Sequence, residues 1–143
     1  KLHGILMNGI RADAGTYRNH PVRITGVNLP TANYISVPKL VRELAFSGIN
    51  KKHDVIQLAV EMHSKFEQIH PFSDGNGRVG RLLMGAMLLK ENLPPPIIRQ
   101  EQKQLYYTYL YKAQDKGDNS QLEKYVCEAI LDGFKVLERK DLD

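Results

Sequence analysis

Residues 54–91 read DVIQLAVEMHSKFEQIHPFSDGNGRVGRLLMGAMLLKE, two helical patterns joined by a stretch that belongs to neither. In the first pattern Val55, Ala59, Met62, Phe66 and Ile69 recur at three- and four-residue steps. They form one apolar stripe, so the spacing predicts a helix from about Asp54 to Ile69. Pro71 forbids its simple continuation, because proline lacks an N–H and restricts the residue before it. The second pattern carries Val79, Leu82, Leu83, Ala86, Met87 and Leu89 from about Gly77 to Glu91. It is apolar on more than one side and is expected at the centre of the fold.

Outward from this pair, Ser36-Val37-Pro38 can start a helix bearing Leu40, Val41, Leu44 and Ala45 that stops near Gly48. In Gly15–Val27, GTYRNHPVRITGV, the residues Tyr17, Val22, Ile24 and Val27 favour extended structure and Asn19-His20-Pro21 breaks the run. A short hairpin is expected there. After the stiff Pro94-Pro95-Pro96, two helices follow, roughly Gln100–Lys116 and Asn119–Arg139, with Gly117-Asp118 as the break. The expected fold is mostly α with one small β-hairpin, a single domain over residues 1–143. The opening on Lys1 rather than Met fits a trimmed N-terminus.

The composition, 25% charged and 42% hydrophobic, is that of a globular chain rather than a disordered one. The apolar run near Leu82–Leu89 is too short to cross a bilayer, and Lys1–Gly9 has no signal-peptide pattern. Cys127 is alone, which excludes an internal disulfide and suits a reducing, cytoplasmic setting. A net charge of +4 suits a nucleotide-phosphate site or an acidic partner. The basic residues form no run, so sequence-specific nucleic-acid binding is not expected.

The chemistry converges on His70–Arg81, HPFSDGNGRVGR. Gly75 and Gly77 flank Asn76, and glycines permit the positive φ angles that turn successive N–H groups inward. Such a nest leading into a helix N-terminus binds anions, because unpaired donors and the helix dipole point the same way. Arg78 and Arg81 lie three apart on the first turn and can both grip phosphate oxygens. Two arginines there oppose the helix dipole unless an anion compensates them. Asp74 beside bare phosphates makes sense if it holds a magnesium ion that bridges them. His70 is the one group nearby able to accept a proton near neutral pH. His63, Glu67 and His70 share one side of their helix, but a two-histidine zinc helix puts its histidines four apart with the glutamate beside the first. His63 is therefore read as a structural histidine.

This loop resembles the Fic family signature, HPF-x-DGNGR-x-x-R, at His70, Pro71, Phe72, Asp74, Gly75, Asn76, Gly77, Arg78 and Arg81. Gly15–Gly26 is similar to the family's flap hairpin, which lies over the active site. Gln104-Leu105-Tyr106-Tyr107, with Ala113 and Gly117-Asp118, is similar to the segment after the family's core. The resemblance implies a protein adenylyltransferase that moves AMP from ATP onto a Ser, Thr or Tyr hydroxyl of a target protein, itself included. It implies His70 as base, Phe72 as anchor of the loop, and Asp74 as the Mg2+ ligand. Gly75, Asn76, Gly77 and Arg78 would hold the α- and β-phosphates, and Arg81 the γ-phosphate. Val22, Arg23, Ile24 and Thr25 of the flap would line the nucleotide site and pair with an extended segment of the target. Tyr106, Tyr107 and Gln114 would surround the adenosine; from the residues alone, these tyrosines read as partly exposed helix aromatics packing the core.

Doc-like kinases of the family carry lysine where this chain has Gly77, so the standard nest favours AMP transfer over phosphate transfer. Removal of AMP, transfer of another phosphate-containing group, and a nucleotide-sensing or protein-binding module without transfer stay open as alternatives, as does a homo-oligomer. Many relatives also carry an inhibitory Ser/Thr-x-x-x-Glu-Gly/Asn helix. Ser120-Gln-Leu-Glu123 is one residue short of that motif and reads as an N-cap with its capping-box glutamate. An inhibitory helix would come from upstream sequence or from a partner, or the protein has none.

Overall fold

The computed structural model describes residues 1–47 and 54–140. Among them the helices are α1 (Leu2–Leu6), α2 (Val37–Ser47), α3 (Val55–Ile69), α4 (Asn76–Lys90), α5 (Lys103–Lys116) and α6 (Ser120–Lys140), with 3₁₀ turns at Tyr34–Ser36 and Gln100–Gln102. The stop expected near Gly48 lies outside the described residues. Two compact units form: residues 1–47 with 62–83, and 54–61 with 84–140. The division falls within α3 and α4, so each of these helices contributes to both cores.

Local chemistry explains the boundaries. Asp54 caps α3, its carboxylate accepting the N–H of Ile56 at 2.8 Å while its carbonyl takes that of Leu58 at 3.0 Å. Gly117, at φ 67°, ends α5 in the left-handed conformation common just past a helix. At the start of α6 the sequence reading needs correction. The Asn119 carbonyl accepts from Glu123 N–H at 2.8 Å, which makes Ser120 the first helical residue rather than the cap. The carboxylate of Asp118 takes both the N–H (3.1 Å) and the hydroxyl (2.6 Å) of Ser120. Asn119 holds the cap position, and Asp118, two residues before Ser120, binds the first helical residue from outside the helix.

The core of the first unit is Leu44, Phe66, Phe72 and Val79, edged by Leu6, Met62 and Ile69. The second unit packs Ala59, Val60, Met84 and Leu88 with Tyr106, Leu110, Leu122, Tyr125 and Val126. Helix α3 buries more than its predicted stripe: His63, Ser64 and Glu67 are also buried. Helix α4 departs from expectation in the other direction. Val79, Met84 and Leu88 are buried, but Leu82, Leu83 and Leu89 are 48%, 41% and 57% exposed, so α4 has a wetted apolar side.

The hairpin expected over Gly15–Val27 is not formed as paired strands among the described residues. Val22 and Ile24 are half-buried and Arg23 and Thr25 exposed, and a turn follows in which Val27 N–H reaches the Ile24 carbonyl at 3.4 Å. The Thr31 hydroxyl donates to the Val22 carbonyl at 2.8 Å. Pro21 and Pro30 remove two N–H donors from the stretch, which works against a regular ladder. No helix of the described residues is long and apolar enough to cross a membrane.

Candidate active site

The site starts where α3 ends. The N–H of His70 still bonds to the Phe66 carbonyl at 3.0 Å, but a φ of 51° turns the chain out of the helix just before Pro71. The ring nitrogen Nδ1 lies 3.0 Å from the Glu67 carbonyl oxygen. A carbonyl only accepts, so the proton sits on Nδ1 and the lone pair of the neutral ring is on Nε2. Burial pushes the imidazole below its ordinary value. The Glu67 carbonyl and Asp74 favour the charged form, and Arg18 opposes it. The net direction is toward a neutral ring, the form a base needs.

The loop is held from both sides. Asn76 is 2% exposed, and its amide bonds both backbone groups of Phe72: Oδ1 accepts from the N–H at 2.9 Å and Nδ2 donates to the carbonyl at 2.8 Å. The Phe72 ring is stacked on His3 with centroids 3.7 Å apart and planes within 2°. His3 Nδ1 accepts from Gly15 N–H at 2.9 Å, so its proton is on Nε2, which donates to the Asp74 carbonyl at 2.9 Å. Gly75 has φ 82°, and a Cβ there would lie 3.0 Å from the Met7 sulfur. Both conditions call for glycine.

The first internal bond of α4 runs from Val79 N–H to the Gly75 carbonyl at 3.0 Å. The N–H groups of Asn76, Gly77 and Arg78 therefore precede the helical ladder and stand ready for an anion. The Asn76 side chain is committed to Phe72, so only its backbone N–H is left for a phosphate. Arg81 folds back over this end: a Cβ on Gly77 would lie 3.2 Å from its Nη1. Arg78 pairs with Asp74 at 3.2 Å, and the other Asp74 oxygen accepts Gly75 N–H at 2.6 Å.

Behind the arginine, a Cβ at Gly80 would collide with Glu67 Oε1 and come within 2.9 Å of His63 Nδ1. Only glycine lets these two side chains pack against α4. Burial pushes the Glu67 carboxyl up to about 7, with Arg81 pulling it back down. Burial and then Arg81 lower His63 to about 4, against a backbone bond from Gly80.

His70 through Arg81 and the flap residues Val22 to Thr25 all belong to the first unit, whereas Tyr106, Tyr107 and Gln114 belong to the second. The Tyr106 and Tyr107 rings are 5.2 Å apart. Tyr106 is 1% exposed in the core, and Tyr107 is 40% exposed. The sequence reading missed three residues that shape the site: Arg18, His3 and the buried carboxyl of Glu67. For Arg18 the one available signal was a charge inside an otherwise extended, apolar-leaning stretch.

The first unit thus sets a histidine, a glycine-bearing loop and two arginines around the start of one helix. The chain matches the Fic/DOC family over residues 1–88, and it belongs to that family. It is 45% identical over 82 residues to the protein adenylyltransferase Fic of Nematostella vectensis, covering 55% of this chain and 19% of that protein. With the Drosophila erecta protein of the same name it shares 32% identity over 118 residues, covering 81% and 23%. A crystal structure of a Fic family protein from Desulfovibrio desulfuricans superposes with a TM-score of 0.82 at 28% identity, over 99% of this chain and 46% of that one. The chain thus spans under a quarter of the length of these two curated relatives.

Proposed function

We propose that the chain transfers AMP from ATP to a Ser, Thr or Tyr hydroxyl of a target protein, itself included. One observation carries this reading: a histidine with its lone pair on Nε2 shares a unit with three open helix N–H donors and two arginines. The names of the relatives supply the nucleotide. The target oxygen attacks the α-phosphorus in line with the leaving pyrophosphate. Its proton passes to His70 Nε2, the new O–P bond forms, and the bond to the bridging α–β oxygen breaks. The N–H groups of Asn76, Gly77 and Arg78 and the Arg78 and Arg81 guanidiniums stabilise the charge on the phosphates. General-base help from His70 is worth on the order of 10²–10⁴ in rate.

Asp74 fits a magnesium ion. Its carboxylate is more than half exposed beside the nest, and magnesium is commonly held by one carboxylate with nucleotide phosphates and water supplying the rest. Bound there, the ion would neutralise phosphate charge, with Asp74 exchanging its contact to Arg78 for the metal. Val22, Arg23, Ile24 and Thr25 present an edge to which an extended target segment adds as a strand. For the adenosine the resemblance names Tyr106, Tyr107 and Gln114 of α5; the Tyr107 ring is exposed and the Tyr106 ring buried.

Gly77 supports AMP transfer over phosphate transfer. A Cβ there would lie 3.2 Å from Arg81 Nη1, so a kinase-type lysine would make the guanidinium shift slightly at the helix start. Incubation with magnesium and ATP labelled at the α- or the γ-position tests the reading. Label should reach protein from the α-position only, and stable γ-label on protein would overturn it.

A further inference from the structure

Arg18 is 4% exposed and has no acidic partner among the described residues. A buried guanidinium needs compensation, and here four carbonyls provide it. Nε donates to His70 O at 2.6 Å, Nη1 to His20 O at 2.9 Å, and Nη2 to Ala32 O and to Ile69 O at 3.2 Å. Its backbone N–H donates to Pro71 O at 3.0 Å. Two of the four carbonyls, Ile69 and His70, close the C-terminus of α3, where the helix dipole favours a cation. The other two, His20 and Ala32, stand on either side of residues 21–31, the part of the chain that holds the flap residues Val22 to Thr25.

The placement answers a question that the catalytic loop leaves open. A non-glycine residue at positive φ costs on the order of 1–3 kcal/mol and persists only where its surroundings over-determine it. His70 is such a residue, and its own carbonyl accepts from Arg18 Nε at 2.6 Å.

We propose that Arg18 is a positioning residue for the transfer reaction: it locks the backbone of His70 in the conformation that presents Nε2, and it ties the chain on either side of the flap residues to the same point. One side chain thereby sets the base and the target-docking edge in a common frame. The inference rests on the proposed transfer only for its kinetic consequence; the geometry stands apart from it. The charged groups acting on the imidazole are Arg18, four residues before Val22, and Asp74 in the loop, with Glu67 acting from α3 through its carbonyl.

The test compares wild type with Arg18→Lys, which keeps the charge but cannot span four carbonyls, and with Arg18→Met, which removes the charge. Self-modification with α-labelled ATP is followed as a function of ATP concentration, and backbone amide and His70 ring resonances are followed by NMR from pH 5 to 8 in metal-free buffer. Arg18→Lys should lower kcat on the order of 10²-fold, the scale of a misplaced catalytic group, while KM for ATP stays within about twofold. Its amide shifts should change at residues 69–71 and at 20 and 32 together. In Arg18→Met the His70 ring should titrate at higher pH than in wild type. If Arg18→Met does not fold, Arg18→Lys decides alone. An unchanged kcat, a change confined to KM, or shifts that move at the flap and not at His70 would overturn the proposal. A wild type that transfers no AMP would strike the proposed function instead, and the NMR comparison would still decide the role of Arg18.

Discussion

The catalytic loop and the flap are both non-helical, both glycine-containing and both part of the first unit, yet they are built on opposite plans. Between Pro71 and Gly75 nearly every group has an internal assignment: Asn76 takes both backbone groups of Phe72, His3 takes the Asp74 carbonyl, and Asp74 takes Gly75 N–H. Between Val22 and Thr31 there is one side-chain bond, from the Thr31 hydroxyl, and one long turn bond from Val27 N–H to the Ile24 carbonyl, while Arg18 grips carbonyls on either side. A fixed loop suits the phosphates proposed for it, which need donors at set positions. The flap keeps its backbone available because its proposed partner is another chain.

Breaking the loop's chemistry should have the largest effect. His70→Ala should lower AMP transfer on the order of 10²–10⁴-fold. Calorimetry should show ATP binding nearly intact, since the phosphates face the helix start and not the imidazole. A variant that loses nucleotide binding outright would remove His70 from the role of base. Next comes the loop's frame. Asn76→Ala leaves the buried N–H and carbonyl of Phe72 without partners, at a cost of about 2–4 kcal/mol measured by urea unfolding. A loss below about 1 kcal/mol would mean that the loop is not held as described.

A smaller effect tests the support behind Arg81. Folding raises the Glu67 carboxyl to about 7, so the fold prefers it protonated. That contribution is present in full below the unfolded value near 4.5 and is lost as pH rises through about 7. His63 runs the other way: its contribution is present above about 6.5 and fades as pH falls toward 4, equally in wild type and in a Glu67 variant. Thermal melts of Glu67→Gln should therefore gain on wild type between pH 5 and pH 8, by about 1–3 kcal/mol. A constant difference across that range would show that Glu67 does not ionise in it. The smallest effect belongs to the flap. Thr31→Val removes its one side-chain bond at a cost of about 1 kcal/mol or less, with nucleotide affinity unchanged in calorimetry. A larger loss would make the flap part of the cooperative core and collapse the contrast with the loop.

The same contrast governs what could be read before any coordinates. Helices α2 to α6 were legible because apolar spacing, Pro71 and Gly117 act locally. The loop was legible for a related reason: positive φ at Gly75 and open donors at Asn76, Gly77 and Arg78 are properties of short stretches. Arg18 was not, since its value lies in carbonyls at positions 32, 69 and 70, and carbonyls leave no mark in a sequence. Nor was Glu67, a polar residue beside a predicted stripe whose burial depends on the missing side chain of Gly80 across from it. The hairpin was expected from β-forming residues, but Pro21 and Pro30 weigh against the ladder such residues would need.

The amide of Asn76 has one more consequence, for how the protein ages. Asparagine followed by glycine, as in Asn76-Gly77, is the pair most open to attack of the next backbone nitrogen on the side-chain carbonyl, which sheds ammonia to give a cyclic imide that water then opens to aspartate or isoaspartate. In the folded chain that carbonyl is clamped to Phe72 N–H, and the ring closure cannot be reached. In an unfolded chain nothing holds it. Aspartate formed there would face the Phe72 carbonyl with an oxygen in place of a donor and would set a negative charge against incoming phosphate. A chain deamidated at Asn76 would therefore carry a chemical record of having been unfolded, written at the one position where it also disables the site.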